Sequence, residues 1–250
     1  MTLEMAREEL ERRGITMSIS TLWRIATKRL NLRHKKISTR PAAVFDEDMA
    51  DKRFDYGQQV NQINDQVLWF MDESGFNLHI APLRRWARRG IRPVQAVPTN
   101  RGVNVSLLMC ISSEGIVFHM VKRGAFKAAD FVAFLQALAN RLPAVRNREV
   151  CLVMDNARIH HARATTAFLH ENNINHIFLP PYSPELNPIE NVFGVLKARY
   201  RRRGVVHSEG QMKRRIKIVI DQMNEDLDVQ TFYDHMRRFV ERAMNRQPFN

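Results

Sequence analysis

Three acids stand where a carboxylate can do chemistry: Asp72 in LWFMDES, Asp155 in CLVMDNA and Glu190 in LNPIENV. Each aspartate ends a run of apolar, strand-like residues. Carboxylates at the C-terminal ends of neighbouring strands open into one crevice, the usual ligand position of an α/β sheet. Two aspartates and a glutamate make an oxygen-only group suited to hard cations, Mg²⁺ or Mn²⁺. Each acid also has an ordinary reading. Asp favours strand exits and helix starts. Asn187, Pro188 and Glu190 fit an N-cap, a first helical position and the reciprocal acid of a capping box. Capping and ligation compete only in part, because a carboxylate has two oxygens. Glu185, in the loop PPYSPELNP, is the other acid near this junction. Glu73 follows Asp72 directly, so strand alternation turns it to the opposite side, and it is set aside.

The surrounding elements follow from periodicity and punctuation. QVLWFMDESGF (66–76) reads as a buried strand, RRWARRG as a short basic strand or turn, and NVSLLMCISSEGIVFHMVKRG (104–124) as two strands around a Ser-Ser-Glu-Gly turn. KAADFVAFLQALANRL (127–142) is an amphipathic helix, EVCLVMDNARIHH brings a second buried strand, ARATTAFLHENN (162–173) a helix, and INHIFLP a short strand. The stretch PPYSPELNPIENVFGVLKARYRRRG closes the block with a helix, and 208–244 is helical and basic. Adjacent strands early and helix-separated strands later predict an α/β fold, a mixed sheet with helices packed on its faces. The expected organisation is a basic helical segment over 1–45, a linker with a helical stretch over 46–65, a catalytic domain over 66–204 and a helical extension over 205–250.

Composition narrows the partners. The 250 residues carry a net charge of +13 with 44% hydrophobic residues, so the chain is globular and suited to polyanions. No apolar run approaches the ~20 residues of a membrane-spanning helix, and the charged N-terminus does not read as a signal peptide; an intracellular protein without a membrane partner is expected. Cys110 and Cys151 lie in apolar strands without metal-ligand spacing and read as buried thiols. Near the N-terminus, LEMAREELERR, the break GITMS and SISTLWRIATKRLNL form a helix, a turn and a second helix with Ser18 or Ser20 as its cap. Leu22, Ile25, Ala26 and Leu30 mark one face, while Trp23, Arg24, Lys28 and Arg29 point away from it. With the basic tail holding Lys35 and Lys36, this is the arrangement of a DNA-recognition helix with a phosphate-contacting extension, or of a helical hairpin with a solvated basic face. Arg84, Arg85, Arg88, Arg89 and the block Arg201, Arg202, Arg203 are either solvated charge or phosphate contacts.

MDESGF, VMDNARIHH and LPPYSPELNPIENVFGVLK, in that order, resemble the three catalytic motifs of the Tc1/mariner superfamily of DNA transposases, including its bacterial IS630-like members. That family pattern is two aspartates and a glutamate, with 34 residues between the last pair. Here 34 residues separate Asp155 from Glu190, and 29 would separate Asp155 from Glu185, so the resemblance selects Glu190. It covers about 67–203. The resemblance implies an RNase H-like fold and a nuclease and strand-transfer enzyme. Two divalent ions, Mg²⁺ or Mn²⁺, about 3.5–4 Å apart between Asp72, Asp155 and Glu190, would activate a water to cut the transposon end and stabilise the leaving oxygen. The freed 3′-hydroxyl would attack target DNA at a TA step. Asn156 and His160 match positions beside the second aspartate and could orient substrate or a metal-bound water; helix capping for Asn156 and packing or exposure for His160 are the alternatives. The implied partners are double-stranded DNA, as terminal inverted repeats and TA target, and a second copy on paired ends. The wording of the 98–115 block is closer to eukaryotic members, which implies the nucleus; a bacterial member would work in the cytoplasm, at the nucleoid. Family members carry two helix-turn-helix modules ahead of the catalytic domain. Residues 1–32 resemble the end of the second, which leaves open a truncated copy. Two further functions stay open with it: a catalytically silent DNA-binding derivative, and a nuclease without strand transfer.

Overall fold

The structure is a computed structural model that describes residues 2–35, 41, 46–99 and 102–249. The chain divides into two compact units, Met1–Pro41 and Ala42–Asn250. In the first, α1 (Leu3–Arg12) is capped by the Thr2 hydroxyl and α2 (Ile19–Arg24) by Ser18, and α2 runs on into a π-helical turn, Ile25–Arg29. Gly14 ends α1 at φ 78°, a left-handed conformation that glycine adopts without a Cβ clash, and Ile15 N–H closes back on Leu10 O. Leu22 is buried, Ile25 and Ala26 half-buried, and Leu30 exposed, so the expected apolar face stops short of its last member. Trp23, Arg24, Lys28, Arg29 and Lys35 are exposed; Lys36 lies outside the described residues.

The second unit opens with α3 (Glu47–Asn61), followed by β1 (Leu68–Phe76), β2 (Val105–Ser112) and β3 (Gly115–Arg123). Then come α4 (Ala128–Arg141), the short α5 (Pro143–Arg146), β4 (Cys151–Met154), α6 (Arg163–Glu171), β5 (His176–Phe178), a 3₁₀ turn Pro184–Leu186 and the helices α7 (Pro188–Arg202), α8 (Glu209–Asp226) and α9 (Gln230–Met244). The strands form one five-stranded sheet in the order β3-β2-β1-β4-β5, antiparallel among β1, β2 and β3 and parallel among β1, β4 and β5. This is the mixed sheet that the strand and helix order predicts. RRWARRG forms no strand: Ile91 N–H bonds Arg88 O in a turn around Gly90, and no strand partner lies beside it.

Two cores sandwich the sheet. Leu68, Phe70 and Phe76 of β1, Leu107, Met109 and Ile111 of β2 and Val153 of β4 pack with α3, α7, α8 and α9. Met71, Leu108, Cys110, Leu152 and Met154 pack on the other side with α4, α5 and α6. Cys110 and Cys151 are free buried thiols, as expected. Residues 46–65 do contain the anticipated helix, but Tyr56 and Val60 of α3 are buried in the first core, and a Cβ on Gly57 would lie 3.1 Å from Met244 Cγ, so α3 is clamped to α9 instead of acting as a linker. Likewise α8 and α9, read as an extension, pack with α3 and α7 into the core on one face of the sheet. Tyr233 of α9 shows how tightly: it is fully buried, its ring stands edge-on to Phe70 at 5.4 Å, and its hydroxyl donates to Leu68 O at 2.7 Å. Tyr233→Phe is expected to cost ~1 kcal/mol of unfolding free energy, the net value of one buried hydrogen bond, measurable as a lowered urea midpoint at unchanged slope.

Candidate active site

Strand alternation sorts the acids. Asp72 shares the side of Phe70 and so faces α7, whereas Glu73 shares the side of Met71 and faces α4. Asp72 is not at a strand end, contrary to the sequence expectation. β1 continues to Phe76 because antiparallel β2 pairs with it along its length, Asp72 opposite Met109. The strand that ends is β4, whose pairing with β1 stops at Met71 opposite Met154, so Asp72 is the first β1 residue left without a neighbour on that edge. Asp155 leaves β4 at this point. The crevice therefore forms where the sheet narrows, and α7 seals its third side.

Asp72, Asp155 and Glu190 all line one cleft of about 380 Å³, together with Asn156, Ala157, Asn187 and the loop 179–184. The loop is held from behind. Arg53 of α3, buried, donates to Ser183 Oγ at 2.9 Å and to Tyr182 O at 3.4 Å, and its guanidinium lies 4.7 Å from the centre of the Phe249 ring. Asn187 occupies the N-cap position of α7, but its side chain makes no capping bond. Its Nδ2 donates instead to Asp72 Oδ2 at 2.9 Å, while Glu73 N–H donates to Asp72 Oδ1 at 2.6 Å. Glu190 stands in the first turn of α7, exposed, and closes no capping box. Glu185 sits in the 3₁₀ turn and does not line the cleft.

The three carboxylates feel one another. Burial, then the charges of Asp155 and Glu190, push the Asp72 carboxyl up to about 7. Burial would push Asp155 up as well, but hydrogen bonds from His160 and from Ala157 N–H hold it below its ordinary range. Both of those bonds go to Asp155 Oδ1, at 2.8 and 2.9 Å. His160 is fully buried against the Phe131 ring, with Nδ1 on Asp155 and Nε2 3.5 Å from Glu73 Oε1. Burial alone would lower the His160 imidazole, yet Asp155 and Glu73 outweigh it and raise it to about 10, so the ring is a cation at neutral pH. Because the folded value lies above the ordinary 6.5, this contribution to stability is fully present below pH 6.5 and is lost as pH rises through about 10. Glu73→Gln removes one of the two charges facing the imidazolium and is expected to cost about 1–3 kcal/mol in urea unfolding at pH 7, less than the ~3–5 kcal/mol of a fully buried pair because Glu73 is partly exposed and stands 3.5 Å from the ring.

Residues 67–213 match the family described as DDE superfamily endonuclease. The chain belongs to that family. Within it, the chain is 27% identical over 161 residues to the Transposable element Tc3 transposase of Caenorhabditis elegans, a match that takes in 63% of this chain and 49% of the relative. The chain thus spans about half the length of this curated relative. Among solved structures, the Mos1 mariner paired end complex with Mn superposes with a TM-score of 0.74 at 18% identity, over 100% of this chain and 75% of that one. The Mos1 Strand Transfer Complex superposes at 0.73 and 16% identity, over 98% and 73%. The fold of this DDE endonuclease is therefore the RNase H-like one that the motifs implied, with helical additions at both ends.

As a member of the DDE endonuclease family the chain offers an anionic pocket to a cation. Among the described residues no three His, Cys, Asp or Glu side chains are drawn tightly enough together to enclose one ion, so the acids act as separate oxygen donors along the cleft wall. Mg²⁺ and Mn²⁺ keep part of their water and use one or two carboxylates each, so acids that share a cleft without enclosing an ion fit their chemistry. The raised Asp72 carboxyl is the mark of an uncompensated negative cluster that a divalent cation would relieve. Asn156 lines the cleft, but its amide is engaged: Nδ2 bonds Leu179 O and Oδ1 accepts from His161 at 2.9 Å. It caps no helix, since α6 begins at Arg163 behind Ala162. His160 sits behind Asp155, shut off from the cleft, and it orients the carboxylate. Arg84, Arg85, Arg88, Arg89 and Arg202 are exposed, Arg201 is half-buried, and Arg203 is bonded to Gln222 at 2.6 Å. The cleft's three acids were legible in the sequence; Asn187 as a partner of Asp72, Glu73 and Arg53 were not. A glutamate on the inner side of a buried strand requires a counter-charge, and that signal points to Glu73.

Proposed function

We propose that this chain is a metal-dependent DDE transposase of the Tc1/mariner group, with the Asp155–Glu190 spacing of its 34-residue subtype. It nicks DNA at transposon ends and joins the freed 3′-hydroxyl to a TA target. One observation carries the reading: two strands and one helix deliver Asp72, Asp155 and Glu190 to a single cleft whose charge is unbalanced. Asp72, Asp155 and Glu190 are the residues that would hold two divalent ions, Mg²⁺ or Mn²⁺, and the ions would supply an activated water and neutralise the leaving oxygen. Asp155 is steered by His160 so that Oδ2 is turned to the reaction, and Asn156 ties the β4 exit to the loop wall at Leu179. No side chain needs to attack DNA. The Mn in one structural relative and the strand transfer complex of another support this assignment, as does the paired-end assembly, which favours a dimer on two ends. With a eukaryotic relative, the nucleus is the proposed location. Among the described residues no helix is long and apolar enough to cross a membrane.

The exposed arginines, with Trp23, Arg24, Lys28, Arg29 and Lys35 of the first unit, are proposed to hold the phosphate backbone. Neutralising Arg84, Arg85, Arg88 and Arg89 together is expected to flatten the log–log salt dependence of DNA binding by about 0.9 per lost phosphate contact, read by fluorescence anisotropy between 50 and 200 mM salt. An unchanged slope would leave them as solvated charge. The function itself is tested on DNA bearing the element's terminal repeats, in Mg²⁺ or Mn²⁺, by scoring nicked and joined products. Binding without any metal-dependent cleavage would reduce the chain to a DNA-binding derivative. Cleavage without joining at TA would leave a nuclease.

A further inference from the structure

Asn187 is placed for more than starting a helix. It is buried, 4% exposed, in the wall of the acidic cleft, and it sits at the N-cap position of α7 without using its side chain as a cap. Its two polar atoms are in opposite situations. Nδ2 is spent on Asp72 Oδ2, at 2.9 Å. Oδ1 is buried and has no hydrogen-bond partner among the described residues. Exchanging the two atoms would not cure this, because Nδ2 would then take the buried position without a partner. An amide oxygen buried without a donor costs about 1–3 kcal/mol, and a residue that forgoes its cap to accept that cost points to a ligand.

We propose that Asn187 is part of the divalent-cation site: Nδ2 pins Asp72, and Oδ1 is an oxygen donor to the cation or to one of its waters. The chemistry fits a hard cation, which takes carbonyl-type oxygens beside carboxylates. The placement fits too, since among the described residues the formal charges lining the cleft are those of Asp72, Asp155 and Glu190. The inference rests on Asp72 as a cation ligand. It adds a neutral donor to an acidic set and makes the residue before Pro188 a positioning residue for the first aspartate.

The test is Mn²⁺ affinity of the full chain without DNA, read from the free-ion electron paramagnetic resonance signal, alongside thermal melting in chelator. Three variants are compared: Asn187→Ala, Asn187→Ser and Asp72→Asn. Serine caps helices as well as asparagine, so Asn187→Ser preserves any capping role while its hydroxyl is too short to serve both Asp72 and the cation. Loss of a residue that orients a ligand typically weakens metal binding by about 10–100-fold, and that loss is expected in both Asn187 variants. Mn²⁺ affinity within twofold of the native chain in folded Asn187→Ser overturns the proposal. If Asp72→Asn weakens Mn²⁺ binding while Asn187→Ser does not, only the role of Asn187 falls. If Asp72→Asn itself leaves Mn²⁺ affinity unchanged, the cation site falls and Asn187 with it.

Discussion

Glu190→Gln is expected to abolish metal-dependent nicking, by about 10³-fold or more, while the chain still folds and still binds DNA in chelator. The size follows from groups that act as one unit, where removing one member costs nearly as much as removing all of them. The selectivity follows from position. Glu190 is exposed, closes no capping bond and packs against nothing that the amide would not also satisfy. Surface changes of this kind usually stay within about 0.5 kcal/mol of native stability. Conversion of supercoiled plasmid to nicked circle in Mn²⁺, with melting and DNA affinity measured in parallel, checks it. Glu185→Gln is the matched control, and it should keep activity because Glu185 does not line the cleft. If Glu185→Gln were the silent variant, the third acid would have been misassigned.

Asp72→Asn should silence the enzyme and, without metal, make it more stable. The folded Asp72 carboxyl titrates at about 7 against an ordinary 3.8. Above pH 7 the fold must carry a charge that burial and two neighbouring acids oppose, whereas the unfolded chain ionises from about pH 4. Ionisation therefore removes stability progressively between those values, at up to ~1.4 kcal/mol per pH unit. At pH 8 the penalty is on the order of 2–4 kcal/mol; the neutral amide escapes it with its oxygen still accepting from Asn187 Nδ2, and gives back about 1 kcal/mol by losing the bond from Glu73 N–H. Metal-free Asp72→Asn is thus expected to melt above the native chain at pH 8, with the gap closing toward pH 4. Mn²⁺ should raise the melting temperature of the native chain but not of the variant, since a ligand stabilises only the state that binds it. A variant that melts lower than native at pH 8 would show that Asp72 is held by something other than strain against its charge. Activity and metal-free stability pull in opposite directions at this residue.

The pattern of apolar runs and turns was enough to order the strands and helices, because each strand carries its own punctuation: the Ser-Ser-Glu-Gly turn, the prolines before α7. It marked Asp72 and Asp155 at the close of apolar runs and Glu190 at a helix start, and the resemblance's spacing of 34 residues chose Glu190 over Glu185. It could not show that β1 outlasts β4, because that depends on antiparallel β2 pairing to Phe76, a contact between segments thirty residues apart in sequence. For the same reason Asp72 read as a strand end. Asn187 read as a cap because caps are local, and its true partner lies 115 residues away. α3 read as a linker because six of its fifteen residues are charged, and its apolar stripe makes sense only against α9. What escaped the sequence is long-range pairing, which no local period encodes.

The tandem acids of β1 put like charges on the two sides of a single layer of backbone, and the protein settles them by different means. Glu73 has a permanent counter-ion, the enclosed His160, which belongs to the fold and does not leave. Asp72 has only uncharged donors, Asn187 Nδ2 and Glu73 N–H, and lies in the wall of the open cleft. The cation that answers Glu73 is also the one that holds Asp155, so a single enclosed imidazole ties the closed side of the sheet to the wall of the cleft.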